Sequence, residues 1–165
     1  MANQMLRTTK ILLVVAVVFW GLIGAFFNFL HWGETTGAVG AVASMVTWEG
    51  GAESWQATSN VALIWAGALF IALSKITAAI LCAVGAKKMW HTRRSSAANF
   101  TSAKKIALAG CGIAMFMLFG GFIVIGESWF ELWRSDAMRG PALESAFRYG
   151  AMITLIALFV GMDND

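Results

Sequence analysis

The stretch that decides the fold runs from Val61 to Ala86 and reads VALIWAGALFIALSKITAAILCAVGA, with Lys75 as its one charged residue. A helix that crosses a bilayer needs about 20 mostly apolar residues, so this stretch is long enough. Apolar residues make up 59% of the chain and charged residues 13%, whereas a soluble domain has about 45–50% and about 25%. This composition excludes a soluble enzyme and a disordered tail, and predicts an integral membrane protein.

Three further apolar stretches have the length of membrane spans. The sequence therefore predicts a single all-α domain, an antiparallel four-helix transmembrane bundle that covers residues 1–165. The predicted spans are residues 11–31, 61–86, 106–125 and 145–162, joined by outer loops 32–60 and 126–144 and by a basic cytoplasmic loop 87–105.

The basic residues lie mainly on one side of the predicted bundle, the side of both termini and of the 87–105 loop. They are Arg7, Lys10, Lys87, Lys88, Arg93, Arg94, Lys104 and Lys105, while most acidic residues fall in the two other loops. Because Lys and Arg are retained in cytoplasmic loops, both termini are predicted to be cytoplasmic. The basic residues on the cytoplasmic side then account for the net charge of +3. This charge therefore does not indicate nucleic-acid binding.

The two outer loops contain stretches that predict short interfacial helices. In residues 127–134, Trp129 and Trp133 are spaced i, i+4, so a helix would present both on one face at the level of the lipid headgroups. The stretch from Gly37 to Trp48 predicts a second such helix. Each is interpreted as a membrane anchor, with contact to a partner protein as the alternative.

Lys75 shares a helical face with five small residues of the second span, namely Ala68, Ala72, Ala79, Cys82 and Ala86. Small residues let membrane helices approach closely, so this lysine is expected to face protein. The four spans contain no Asp or Glu in their interiors, so no internal carboxylate is available to pair with it. Three interpretations stay open: snorkelling toward the cytoplasmic headgroups, pairing with another subunit or a lipid, and a functional site.

Other polar residues are weaker candidates. Asn28 is interpreted as an interhelical hydrogen-bond donor, and Arg148 as the partner of Glu144 one helical turn earlier. The 87–105 loop is expected to contact anionic lipid through Lys87, Lys88, Arg93, Arg94, Lys104 and Lys105.

Cofactor and catalytic sites are not expected. His31 and His91 fall at opposite ends of the predicted spans, so they cannot bind one haem. Cys82 and Cys111 are interpreted as small core thiols in the cytoplasmic half. The sequence thus predicts no cofactor, no metal site and no enzyme activity.

Several segments resemble a known family. They are FGGFIVIGESWFELWRS from Phe119 to Ser135, Ala146 to Arg148, the opening Lys10 to Val14, the step from Phe27 to Asn28, and Leu81 to Ala86 before the basic loop. The chain resembles a bacterial group called predicted small integral membrane proteins, domain-of-unknown-function family 2165. The resemblance implies four helices and an inner-membrane location. It implies no established activity and no catalytic residues.

Three functions are compatible with these features. The favoured one is a non-catalytic accessory or stabilising subunit of a larger bacterial inner-membrane complex for electron transfer or transport. The alternatives are a small oligomeric transporter or channel lined by Lys75, Asn28 and Arg148, and a protein that binds anionic lipid. The expected partners are membrane lipids and other membrane subunits.

Overall fold

Five helices and two short 3-10 turns make up the computed structural model, which describes residues 2–162. The acidic residues Asp163 and Asp165, which the topology argument assigns to the cytoplasmic side, lie outside this range. The helices are α1 (Ala2–Leu30), α2 (Trp32–Ala43), α3 (Val61–Thr92), α4 (Ala97–Trp129) and α5 (Asp136–Gly161). All except α2 are long and apolar enough to cross a membrane, and residues 2–162 contain no strand. The predicted all-α four-helix membrane bundle is confirmed.

Local capping sets where α3 and α4 begin. The Asn60 side chain accepts hydrogen bonds from the amides of Ala62 and Leu63, at 2.9 and 3.4 Å. The Ser96 hydroxyl accepts one from the amide of Asn99 at 3.4 Å. Such side chains satisfy amides that a helix start leaves without partners. The Asn60 cap starts α3 at Val61, where the predicted span begins, and the Ser96 cap starts α4 at Ala97, within the basic 87–105 segment.

Small residues bring α3 against both of its neighbours. The stripe Ala68, Ala72, Ala79, Cys82 and Ala86 is buried, as its spacing indicates. A Cβ at Gly85 would lie only 2.5 Å from the backbone nitrogen of Ala107, and one at Gly21 only 2.8 Å from the carbonyl oxygen of Lys75. The backbones of α1, α3 and α4 are therefore in close contact, and α5 packs on α4.

The second half of α4 departs from α-helical geometry. Residues Met117–Trp129 are π-helical, and the hydroxyl of Ser128 donates to the carbonyl of Ile123, five residues earlier, at 3.1 Å. A π-helix is rare beyond a single turn and is frequent at functional sites. This wider segment forms one wall of the cavity described below.

The connections at the acidic end, the end that carries residues 44–60 and 130–135, differ in part from expectation. The predicted helix over residues 127–134 is interrupted, because α4 ends at Trp129 and Glu131 has a φ of 50°. A 3-10 turn over Leu132–Arg134 follows, so Trp129 and Trp133 do not share a face of one helix. The other predicted short helix forms as α2, although it begins at Trp32 and ends at Ala43.

Candidate functional site

Lys75 has an internal partner. Its ammonium donates a hydrogen bond of 2.6 Å to the side-chain oxygen of Asn28 on α1. Side chains of a helix tilt toward its N-terminus, and the N-terminus of α3 is at the acidic end, so Lys75 extends toward that end. Snorkelling toward the opposite, basic end, which carries residues 87–105, is therefore wrong. The partner is an amide oxygen and not a carboxylate, in agreement with the lack of Asp and Glu inside the spans.

Thr35 fixes the orientation of the Asn28 amide. The Thr35 hydroxyl donates to the backbone carbonyl of Asn28 at 3.1 Å and accepts from the Asn28 side-chain nitrogen at 3.2 Å. The amide oxygen thus points at Lys75. Asn28 does connect two helices, as the sequence indicates, but it is the acceptor in its bond with α3.

Glycines on α1 make room for the lysine. A Cβ at Gly24 would lie 3.2–3.4 Å from the last three atoms of the Lys75 side chain. Directly below, toward the basic end, Gly21 lies against the backbone of Lys75 and against Ala79. The contact between Gly21 and Lys75 fills the space on the side of the basic end, while the side of the acidic end is open.

Above Lys75 lies a cavity of about 670 Å³, within the range of about 300–1,000 Å³ that is typical of small-molecule sites. Most of its wall is apolar, and Lys75, Asn28, His31, Glu34 and Thr35 are its polar or charged side chains. The apolar lining comes from α1, α2, α3, the π-helical part of α4 and the start of α5, and includes Phe27, Val39, Val42, Leu63, Phe70, Ile71, Phe122, Ile125, Phe130, Leu132, Met138 and Pro141.

The loops at the acidic end are held beside this cavity by their own contacts. Phe130, Ala43 and Met45 form a small buried cluster. The Arg134 guanidinium lies 3.8 Å from the ring centre of Trp48 and forms an ion pair of 3.0 Å with Glu131. His31 and Glu34 pair weakly, at 3.7 Å, on exposed positions. Among the residues that line the cavity, Lys75 supplies an ammonium and Glu34 a carboxylate.

At the basic end, Lys10 and Lys104 both donate to the backbone carbonyl of Met162, at 2.7 and 3.0 Å. This carbonyl lies just past the C-terminus of α5, where positive charge is favourable. Both lysine side chains are buried. Contact of Lys104 with anionic lipid is therefore a wrong prediction, because its ammonium faces α5 from within the bundle.

The remaining basic residues of the loop are placed differently. Lys87, Lys88, Arg94 and Lys105 are exposed, so contact with lipid stays a prediction for them. Arg93 is half-buried, and its guanidinium lies 3.8 Å from the ring centre of Trp90.

The two tryptophans and Arg148 are also exposed. Trp129 packs edge-on against Trp55 at 5.3 Å between ring centres, and about half of the Trp133 surface is exposed. Arg148 donates to the hydroxyl of Ser145 at 3.0 Å instead of pairing with Glu144. None of the three lines the cavity around Lys75.

The two cysteines meet in the core between α3 and α4. Their sulfur atoms are 4.0 Å apart, both are free thiols, and Cys82 also contacts the carbonyl of Ala107 at 3.6 Å. Across residues 2–162, no three His, Cys, Asp or Glu side chains lie close enough to hold one metal ion.

Thr35, Gly24 and the cavity were not identified from the sequence. The direction of the Lys75 side chain could have been predicted from the sequence, because side chains of a helix tilt toward its N-terminus. The other residues carry no such signal, since their role depends on how α1 continues into α2 after His31.

Comparison with known proteins gives one match. The model of a family described as predicted small integral membrane protein (DUF2165) matches residues 6–163. No curated protein and no solved structure matches the chain.

Proposed function

We propose that this chain, which belongs to the predicted small integral membrane protein family DUF2165, is a non-catalytic protein that holds a small amphiphilic molecule in the cavity above Lys75. The observation that carries this proposal is the cavity itself, about 670 Å³ with apolar walls and a single ammonium at its inner end. An apolar pocket with a few convergent polar groups is the usual form of a ligand site.

The polar groups of the cavity are better suited to binding a ligand than to catalysing a reaction. An amine, an amide and a hydroxyl form one directional chain from Lys75 through Asn28 to Thr35. In this chain each group is held in place by the next. Such an arrangement positions a cation, whereas nucleophilic catalysis needs a base beside the attacking group.

A channel or transporter fits the same residues less well. A continuous path would have to run from the cavity toward the basic end, where α1 and α3 touch at Gly21 and Ala79. Arg148, the third polar residue assigned to such a path from sequence, does not line the cavity. Binding is therefore favoured over conduction.

A cavity-filling variant tests the proposal. Gly126 lines the cavity, and a Cβ there would meet its nearest neighbour at 3.6 Å, an ordinary contact. In detergent, 1-dodecanol, dodecanoic acid and dodecylamine are added separately, and the shift in melting temperature is measured. We expect at least one to stabilise the native protein and to lose this effect in Gly126→Leu. The control is Gly112→Leu, at a position with open space around it. Failure of all three probes to stabilise the native protein would contradict the proposal.

A second candidate is the accessory subunit of a larger bacterial inner-membrane complex. An apolar groove of about 430 Å³ between α4 and α5 favours it. Ala146, Gly150 and Thr154 recur every four residues along the groove, a spacing typical of close helix contacts in membranes. The proposed occupant is a transmembrane helix of another subunit.

Blocking the groove tests this candidate. Gly150→Leu should then release the protein from the larger assembly on a native gel after mild extraction, whereas Gly112→Leu should not. Migration of the native protein as a single chain, or no change on Gly150→Leu, would contradict it.

The orientation proposed for either function places both termini in the cytoplasm. The support is the concentration of Lys and Arg at the basic end. A reporter fused after Asp165 should be active in the cytoplasm. Activity of that reporter on the opposite side of the membrane would refute this orientation.

A further inference from the structure

We propose that the ligand of the Lys75 cavity is a single-chain amphiphile with a carboxylate head, and that Lys75 binds the carboxylate. This inference rests on the proposed ligand-binding function and adds the chemical class of the ligand. Three features of the cavity lead to it, namely the ammonium at its inner end, its size and the carboxylate among its lining residues.

The first feature is the incomplete set of partners around the lysine. An ammonium has three hydrogens to donate. Within residues 2–162, the Asn28 side-chain oxygen is the acceptor that meets it, and no carboxylate forms an ion pair with it. A charge held between membrane helices is unfavourable unless it is compensated. An anionic head in the cavity would supply the opposite charge and accept the remaining hydrogens.

The head is better matched by a carboxylate than by a phosphate. Phosphate sites combine several donors, typically an Arg pair or a row of backbone amides. Here the inner end of the cavity offers one ammonium and the Asn28 amide, whose nitrogen is already bonded to Thr35. One positive charge matches one negative charge.

The second feature is the size of the cavity. The lining along α3 extends from Lys75 to Leu63, about 18 Å at 1.5 Å per residue. If a methylene fills about the 30 Å³ that a water takes in the liquid, a twelve-carbon chain needs roughly 360 Å³. The cavity therefore has room for one chain of about this length.

The third feature is the charge of the other lining residues. Glu34, beside His31, supplies a carboxylate to the lining. A carboxylate repels an anionic head, so the head is placed at the Lys75 ammonium and the chain along the apolar lining toward Val42 and Leu63. The ligand thus has one acidic end and one apolar end.

The test compares three probes with the same chain. Dodecanoic acid, 1-dodecanol and dodecylamine are titrated by calorimetry into the full-length protein in detergent, with empty micelles subtracted. A charge-assisted hydrogen bond to the head predicts that dodecanoic acid binds at least about tenfold more tightly than 1-dodecanol, with dodecylamine the weakest.

Two variants locate the effect. Lys75→Met keeps most of the side-chain length and removes the charge, so the affinity for dodecanoic acid should fall to that for 1-dodecanol, which itself should not change. Lys88→Met removes an exposed lysine of the same helix and should change neither affinity. If Lys75→Met does not fold, Asn28→Leu tests the same head site, since it removes the amide that holds the lysine, and the preference for the acid should shrink.

The outcomes separate this inference from the proposal on which it rests. Equal affinity of the native protein for acid and alcohol would overturn the carboxylate assignment and leave a ligand-binding cavity. A preference for the acid that survives in Lys75→Met would also overturn it, because the acid would then bind elsewhere. If none of the three probes binds, the cavity is not a site for such molecules and both proposals fail.

Discussion

The contact between α3 and α4 at Gly85 gives a prediction that the structure makes quantitative. A Cβ added at Gly85 would lie 2.5, 2.6 and 2.7 Å from the nitrogen, Cβ and Cα of Ala107, whereas carbon atoms in good contact are about 3.5–4.0 Å apart. Two of these atoms belong to the backbone, so the helices must separate by roughly 1 Å, which forfeits up to about half of each local dispersion contact. Overpacking of this kind costs about 1–3 kcal/mol.

Gly112→Ala is the matched control for Gly85→Ala. A Cβ at Gly112 would meet nothing within 4 Å, so this change gives the preference of a helix for Ala over Gly, up to about 1 kcal/mol, without the clash. We expect Gly85→Ala to be less stable than Gly112→Ala by about 1–3 kcal/mol. Reversible unfolding in mixed micelles, followed by circular dichroism, measures the difference. Equal stability of the two variants would refute the close approach of α3 and α4.

Two further predictions concern the ends of the bundle. Lys104→Met should lower the free energy of unfolding by about 1–2 kcal/mol, because the Met162 carbonyl loses one of its two charged donors. Lys105→Met, at an exposed site, should have little effect, and similar losses for the two variants in the same unfolding assay would contradict this. Arg134→Gln should destabilise the loops at the acidic end by about 0.5–1 kcal/mol, because the contact with Trp48 is lost. Hydrogen exchange of residues 44–58 should then become faster, and unchanged exchange there would count against the contact.

Much of the fold could be predicted because it depends on patterns that repeat along the chain. The hydropathy of residues 61–86 identified α3, and the recurrence of small residues from Ala68 to Ala86 identified its buried face. Both patterns report the average environment of a helix face. They do not report the partner of a single side chain, so the Asn28 acceptor for Lys75 was missed.

The site could not be assembled from sequence because its parts meet through irregular geometry. The cavity wall depends on the π-helical segment of α4, whose i, i+5 bonds carry no established sequence signal, and on the turn at Glu131. Similarly, Lys10 and Lys104 are far apart in the chain, and their meeting at the Met162 carbonyl depends on how far three helices slide along one another.

Whether the cavity above Lys75 binds an amphiphile is tested by mapping where one binds. Dodecanoic acid with a photoreactive diazirine at the last carbon is irradiated with the full-length protein, and the labelled residues are identified by mass spectrometry. Binding in the cavity should give labels at its far end, among residues 38–43 and 63–67, and these labels should decrease in Lys75→Met but not in Lys88→Met. Labels confined to the groove between α4 and α5, around Phe116 and Phe147, and unchanged in Lys75→Met, would contradict it.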